Sequence, residues 1–218
     1  WWTTRPRTVG STARPRAGGT AQALNMSQLL QLDRYIIREK FWKLFGNKLW
    51  LRDEQGQLHG FCKQKAFKLK EDIRLYSDES MTDELLKISA RSIIDVWGGY
   101  DITDSRNGEP LGSARRKALK SILRDNWTLF DPAGNEIGKL VEDSAGMALV
   151  RRFIPLGALV PQKFHIDVAG ASQPVTLQQK FNPFIRRLVV DIPPGHPLDR
   201  RFIAAIALLI ATIEGRQG

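Results

Sequence analysis

The sequence predicts an all-β fold: a closed antiparallel β-barrel of about twelve strands around a buried C-terminal hydrophobic helix. Three observations predict it. The segment Phe202–Ile213 is almost purely apolar; as a helix it spans roughly 18 Å, short of the ~30 Å hydrocarbon core of a bilayer, and being apolar on every side it must be buried all round. Upstream, short strand-like runs alternate with turn signals, and Asp53, Asp78, Asp104 and Asp131 open successive hairpins at spacings of 25, 26 and 27 residues. The strand total, about a dozen, exceeds the ~7–9 of a simple two-sheet sandwich. An antiparallel sheet wrapped around one helix is among the few soluble arrangements that hide such a helix.

Taken in order, residues 1–25 are rich in Thr, Arg, Gly and Pro and carry no apolar period, so they are expected to be disordered. The segment is Arg-rich and acid-free, as transit peptides are. Met26-Ser27, however, opens the first periodic sequence and is the favoured natural start. Residues 26–218 read as one domain.

From Tyr35 the pattern is strand, turn, strand. Lys48–Arg52 leads through Asp53–Gly56 to Leu58–Phe61, Tyr100–Thr103 through Asp104–Gly108 to Pro110–Gly112, and Trp127–Phe130 through Asp131–Gly134 to Glu136–Leu140. Aspartate first, proline second and glycine fourth, as in Asp131-Pro-Ala-Gly134, are the preferences of a type I turn returning into a strand. Ser77–Ser80 is the weak member, since it lacks the glycine. Period-2 alternation is plain in Asp72–Tyr76 and Lys163–Val168, as half-buried antiparallel strands require. A last strand, Arg187–Ile192, runs into Pro193–Gly195. For the terminal helix, Pro197 suits a first turn, Asp199 favours the positive end and Gly215 is placed to stop it. Ala204, Ala205, Ala207 and Ala211 keep the helix slim enough for a narrow lumen.

Bulk properties bound the function. The single cysteine, Cys62, excludes an internal disulfide framework and fits a reducing compartment. Neither a transmembrane span nor an apolar signal segment is legible. Net charge is +10, but four arginines of the first 25 residues supply part of it; from Met26 onward, 29 Lys and Arg face 23 Asp and Glu. That moderate excess is compatible with an anionic partner without demanding one.

The layout resembles the LURP-one-related family, a branch of the tubby C-terminal-like superfamily that also includes the phospholipid scramblases. The resemblance covers about Tyr35 to Glu214. It rests on Tyr35–Lys40, Leu49–Gly56, the turn Asp131–Gly134 and the terminal helix. It implies a barrel of roughly twelve strands with the helix threaded through its centre. It implies little about activity: tubby domains bind phosphoinositides and scramblases are linked to calcium-dependent lipid movement. No tubby phosphoinositide signature matches here residue by residue, so no family site is transferred.

Catalytic candidates are few. His59, His165 and His196 have no metal-ligand spacing; His165, on the polar side of its strand, and His196, in a Pro/Gly loop, read as surface histidines. Cys62 has cationic neighbours that could lower a thiol pKa, but without an accompanying base it reads as inert and half-buried. No nucleophile elbow or phosphate loop appears. Asp101–Gly108 holds several oxygen donors, yet it departs from the twelve-residue calcium loop and is better explained as a strand end with an Asn-Gly turn. No cofactor or metal is expected, and no enzyme.

The positive candidates are basic. Arg115, Arg116, Lys117, Lys120 and Arg124 form a cluster with no acid before Asp125. Lys68 and Lys70 fall on one face of a second basic run that includes Lys63 and Lys65. Lysines on strands also deter sheet-to-sheet aggregation. Trp42 and Phe45 suit a membrane interface or a core-lining strand equally well. The function expected is a non-catalytic intracellular module docking on an anionic phospholipid or phosphoinositide surface, cytoplasmic and peripheral at the inner membrane face. The alternative is a protein–protein scaffold using a hydrophobic patch or strand edge. Nucleic acid is not expected, since no basic–aromatic RNA-binding motif is present.

Overall fold

A computed structural model describes residues 31–42, 46–64, 72–91, 99–116, 126–143, 161–180 and 185–214. The expectations for the leader and Met26, for Gly215, Phe45 and the Trp42 side chain, and for Lys68, Lys70, Lys117, Lys120 and Arg124 lie outside what is described.

Among the described residues, twelve strands close into one antiparallel barrel. They are β1 (Arg34–Trp42), β2 (Gly46–Arg52), β3 (Leu58–Gln64), β4 (Ile73–Tyr76), β5 (Glu84–Ala90) and β6 (Tyr100–Asp104), then β7 (Glu109–Arg116), β8 (Asn126–Phe130), β9 (Glu136–Glu142), β10 (Lys163–Val168), β11 (Val175–Lys180) and β12 (Arg186–Asp191). Each pairs with its sequence neighbours, and β12 returns to β1 with Tyr35 opposite Val190 and Ile37 opposite Leu188. Closure leaves no edge strand, although among the described residues β3 and β4 are joined only where Phe61 lies opposite Tyr76.

Alternation dictates what fills the lumen. On β1, Tyr35, Ile37 and Glu39 are buried while Ile36 and Arg38 are half-buried and Lys40 is exposed. Phe164 and Ile166 of β10, Leu177 of β11 and Leu188 and Val190 of β12 point inward in the same way. They surround α1 (Arg200–Glu214), whose residues from Phe202 to Thr212 are all buried. An all-round apolar helix is accounted for by an all-round wall. The helix starts at Arg200, later than Pro197 suggests, because Asp199 is its cap: the Asp199 carboxylate accepts from the Arg201 N–H at 2.7 Å. Ala204, Ala205 and Ala207 are fully buried, so small side chains let the helix lie close to the wall. Gly112 of β7 does the same from outside, at φ +137°. A Cβ there would meet the Phe130 carbonyl oxygen at 2.3 Å and the Phe202 ring at 2.9 Å.

The aspartate turns form one end of the barrel. Asp53 accepts from the Gln57 N–H at 2.8 Å and Asp131 from the Asn135 N–H at 2.8 Å, while Gly56 and Gly134 take positive φ three residues after the aspartate. Asp78 accepts from the Ser80 N–H at 2.8 Å, and here Met81 occupies the position of those glycines, with φ +56°. The missing glycine left the turn intact and forced a methionine into the left-handed region. A register shift accompanies each of these hairpins and that at Asp104, which is how the barrel corner turns.

Leu208→Asp should leave a charge in the lumen at a position 1% exposed, costing several kcal/mol and abolishing the cooperative melt seen by circular dichroism. Met81→Gly should do the opposite. Relieving a left-handed non-glycine residue outweighs glycine's added chain entropy by up to about 1 kcal/mol, read as a higher denaturant midpoint.

Candidate functional site

Strand direction sorts the barrel's two ends chemically. The connections β2–β3, β4–β5, β6–β7, β8–β9, β10–β11 and β12–α1 belong to the hairpin end, and together they contain seven Asp and Glu against one Lys or Arg. The helix begins here, and its first two arginines are held by acids. Arg200 bonds Asp33 and the Leu32 carbonyl. Arg201 donates to Asp104 at 2.8 Å, Glu109 at 2.9 Å and Asp199 at 2.6 Å. Arg106 adds a bond to Asp104 at 2.7 Å. Burial alone would raise the Asp104 carboxyl, but the Arg106 and Arg201 bonds outweigh it and hold it at about 2. This network answers the calcium question for Asp101–Gly108: the fully buried Asp104 carboxylate is already neutralised by two guanidiniums.

The opposite end is the mouth, where α1 finishes. The segments joining β1–β2, β3–β4, β5–β6, β7–β8, β9–β10 and β11–β12 connect strand ends at the mouth, and in the sequence they hold ten Lys and Arg against five Asp and Glu. Arg115 and Arg116, the described members of the predicted cluster, end β7 at this rim. The pleat separates them. Arg115 is exposed on the outer face with its guanidinium 4.5 Å from the centre of the Phe130 ring. Arg116 follows on the opposite face, 6.0 Å from the centre of the buried Trp127 ring. They are adjacent in sequence but do not form one patch. Inside the rim, Glu39, Asn47, Gln64, Glu142 and Thr212 are buried, and Asn47 donates to Glu39 at 2.7 Å. A cleft between β1, β11, β12 and the helix, lined in part by Ile37, Glu39, Gln179 and Leu188, holds about 20 Å³, room for a single water.

The cysteine is more buried than its sequence reading, while His165 lies on the polar face of its strand and gains two carboxylate partners. His165 is only 24% exposed, its Nδ1 on Asp143 and its Nε2 on Asp167 at 2.9 Å, because β9 and β10 bring those carboxylates to its face. His196 is half-buried, and burial together with Arg200 lowers its pKa. His59 is buried and bonded to Asp53 at 2.8 Å. Burial opposes ionisation of Asp53, yet the His59, Gln57 and Gly56 bonds keep its carboxyl below the usual range. Cys62 is fully buried in the core rather than half-buried. Among the described residues no three His, Cys, Asp or Glu converge as metal ligands.

A model of the LURP-one-related family matches residues 34–211, from the first residue of β1 into the central helix. The chain belongs to the LURP-one-related family. No match is found among curated proteins. In this LURP-one-related barrel no described helix is long and apolar enough to cross a membrane. Its Asp104–Arg201 network joins residues 97 positions apart, a link no local motif signals.

The network makes stability pH-dependent. Because the Asp104 pKa is depressed in the folded state, its contribution, about 2 kcal/mol, is fully present above the unfolded value near 4 and is lost as pH falls through about 2. The stability difference between wild type and Asp104→Asn should therefore be largest at neutral pH and shrink below pH 4, read from urea midpoints at each pH.

Proposed function

We propose that this LURP-one-related barrel is a non-catalytic module that docks on anionic membrane lipid with its mouth end. One observation carries the reading: charge is segregated along the barrel axis, acid-rich at the hairpins and base-rich in the segments joining strands at the mouth. A surface of anionic headgroups attracts such a pole by roughly 1 kcal/mol per basic residue near the membrane and repels the other, so the field both binds and orients. The hairpin-end arginines leave that polarity intact because carboxylates or carbonyls hold them: Arg34 meets Asp191 at 3.1 Å, and Arg52 donates to the Gly56 carbonyl at 2.7 Å.

The scaffold reading draws less support. Barrel closure removes the strand edge on which β-augmentation would depend. Among the described residues Met81 is the one exposed large hydrophobic side chain, at 39%, so no apolar docking patch is formed there.

Co-sedimentation of the full chain with vesicles tests the proposal. Phosphatidylcholine vesicles containing phosphatidylserine or a phosphoinositide should pellet the protein, pure phosphatidylcholine should not, and raising salt from low to physiological should weaken binding. Joint replacement of Arg115, Arg116, Lys117 and Lys120 by glutamate should weaken it further with an unchanged melting temperature. Equal binding to neutral and anionic vesicles would reject the electrostatic reading.

A further inference from the structure

The outer wall formed by β12, β1, β2 and β3 near the mouth carries cations in an arrangement that the fold does not explain. Register sets Arg38 of β1 directly opposite Arg187 of β12, and Lys48 of β2 directly opposite Lys63 of β3. All four point outward, because their neighbours Ile37, Leu49, Cys62 and Leu188 are core residues. Lys40 faces Lys48 and Lys180 faces Arg187, extending the two pairs into two rows. Each row crosses three strands, roughly 10 Å, and the rows are offset by about two residues along the strands.

Like charges directly opposite one another destabilise a sheet, with Cβ atoms only ~5 Å apart. Salt bridges are the usual remedy, and the hairpin end of these same strands uses it, at Arg34 with Asp191 and Glu54. On this wall the remedy is missing: among the described residues Arg38, Lys48, Lys63 and Arg187 make no ion pair. The Nε atoms of Arg38 and Arg187 are moreover buried without an acceptor. Protection against edge-to-edge aggregation does not account for Arg38, Lys48 or Arg187 either, since each is paired with a strand on both sides.

We infer that this wall is an anion-binding face that seats the phosphate-bearing headgroups of a lipid bilayer, tilting the docked barrel toward β12–β1–β2–β3. The inference rests on the membrane-docking reading and gives it a footprint. Outward side chains spread over four strands suit an array of headgroups. The Arg38–Arg187 pair offers planar donors for a phosphate, and the Lys48–Lys63 pair adds point charge toward the rim. Occupation by anions would relieve the repulsion that the free protein carries.

The test compares three full-length proteins on phosphatidylcholine vesicles with and without phosphatidylserine: wild type, a wall variant (Arg38→Gln, Arg187→Gln, Lys48→Gln, Lys63→Gln), and Arg34→Gln as an outward control on β1 at the other end. The wall variant should bind anionic vesicles more weakly, by about fivefold for each cation removed, with a melting temperature equal to or above wild type. Arg34→Gln should bind as wild type does. Wild-type binding that the wall variant retains in full would overturn the wall as footprint and leave mouth-end docking standing. Absence of wild-type binding would overturn the docking reading itself. Stabilisation of wild type by soluble inositol trisphosphate, without vesicle binding, would assign the wall to a free phosphate ligand instead of a bilayer.

Discussion

Everything in this molecule depends on burying a helix that has no polar side. From Phe202 to Thr212 the helix is withdrawn from water around its whole circumference, and only a wall closed on itself can supply apolar contacts in every direction. Closure in turn requires β12 to meet β1, the alternation on all twelve strands to keep one face apolar, and the helix to stay narrow. The alanines of the helix and Gly112 of the wall serve that last demand. Charged groups are then admitted only outside the wall or at the two ends.

The ends solve the same problem differently. At the hairpins, the helix start needs acceptors for its free N–H groups, and Asp199 supplies one while Arg201 ties the cap to Asp104 and Glu109. Acid accumulates there for structural reasons, as turn openers and as counter-ions. At the mouth some described cations are also held by acids, Arg91 by Asp101 at 2.7 Å and Lys163 by Asp143 at 3.3 Å, while Arg115 lies over the Phe130 ring. On the proposed reading, the pole turned toward a membrane is the one whose connecting segments are richer in Lys and Arg in the sequence.

Much of the architecture was legible in one dimension. Helical apolarity, period-2 alternation and aspartate-led turns are local patterns that locate the helix and the hairpin strands, although β3 and β7 run three and four residues past the expected Phe61 and Gly112. The turn at Asp78 shows the limit of local chemistry, since the aspartate persisted where the glycine did not. The site was less legible because it depends on register. Arg115 and Arg116 read as one cluster in sequence, but the pleat sends them to opposite faces. The pairing of Arg38 with Arg187 involves residues at opposite ends of the described chain, and their separation along the sequence hides that they are cross-strand neighbours. The Asp143 partner of His165 lies just past the end of β9, 22 positions away in sequence and beyond the reach of a local pattern.

The closing contact between β1 and β12 also constrains the order of events during synthesis. The first strand described waits for the twelfth before it gains its second neighbour, and the helix that fills the lumen leaves the ribosome after both. Until then the inward faces of all twelve strands lack the helix they cover, and the contacts that bring stability are long-range and slow to form. A nascent chain of this kind spends its elongation as an open, sticky sheet and acquires its interior last. Its exposure to chaperones and to aggregation is therefore set by the time taken to deliver the final fifteen-residue helix.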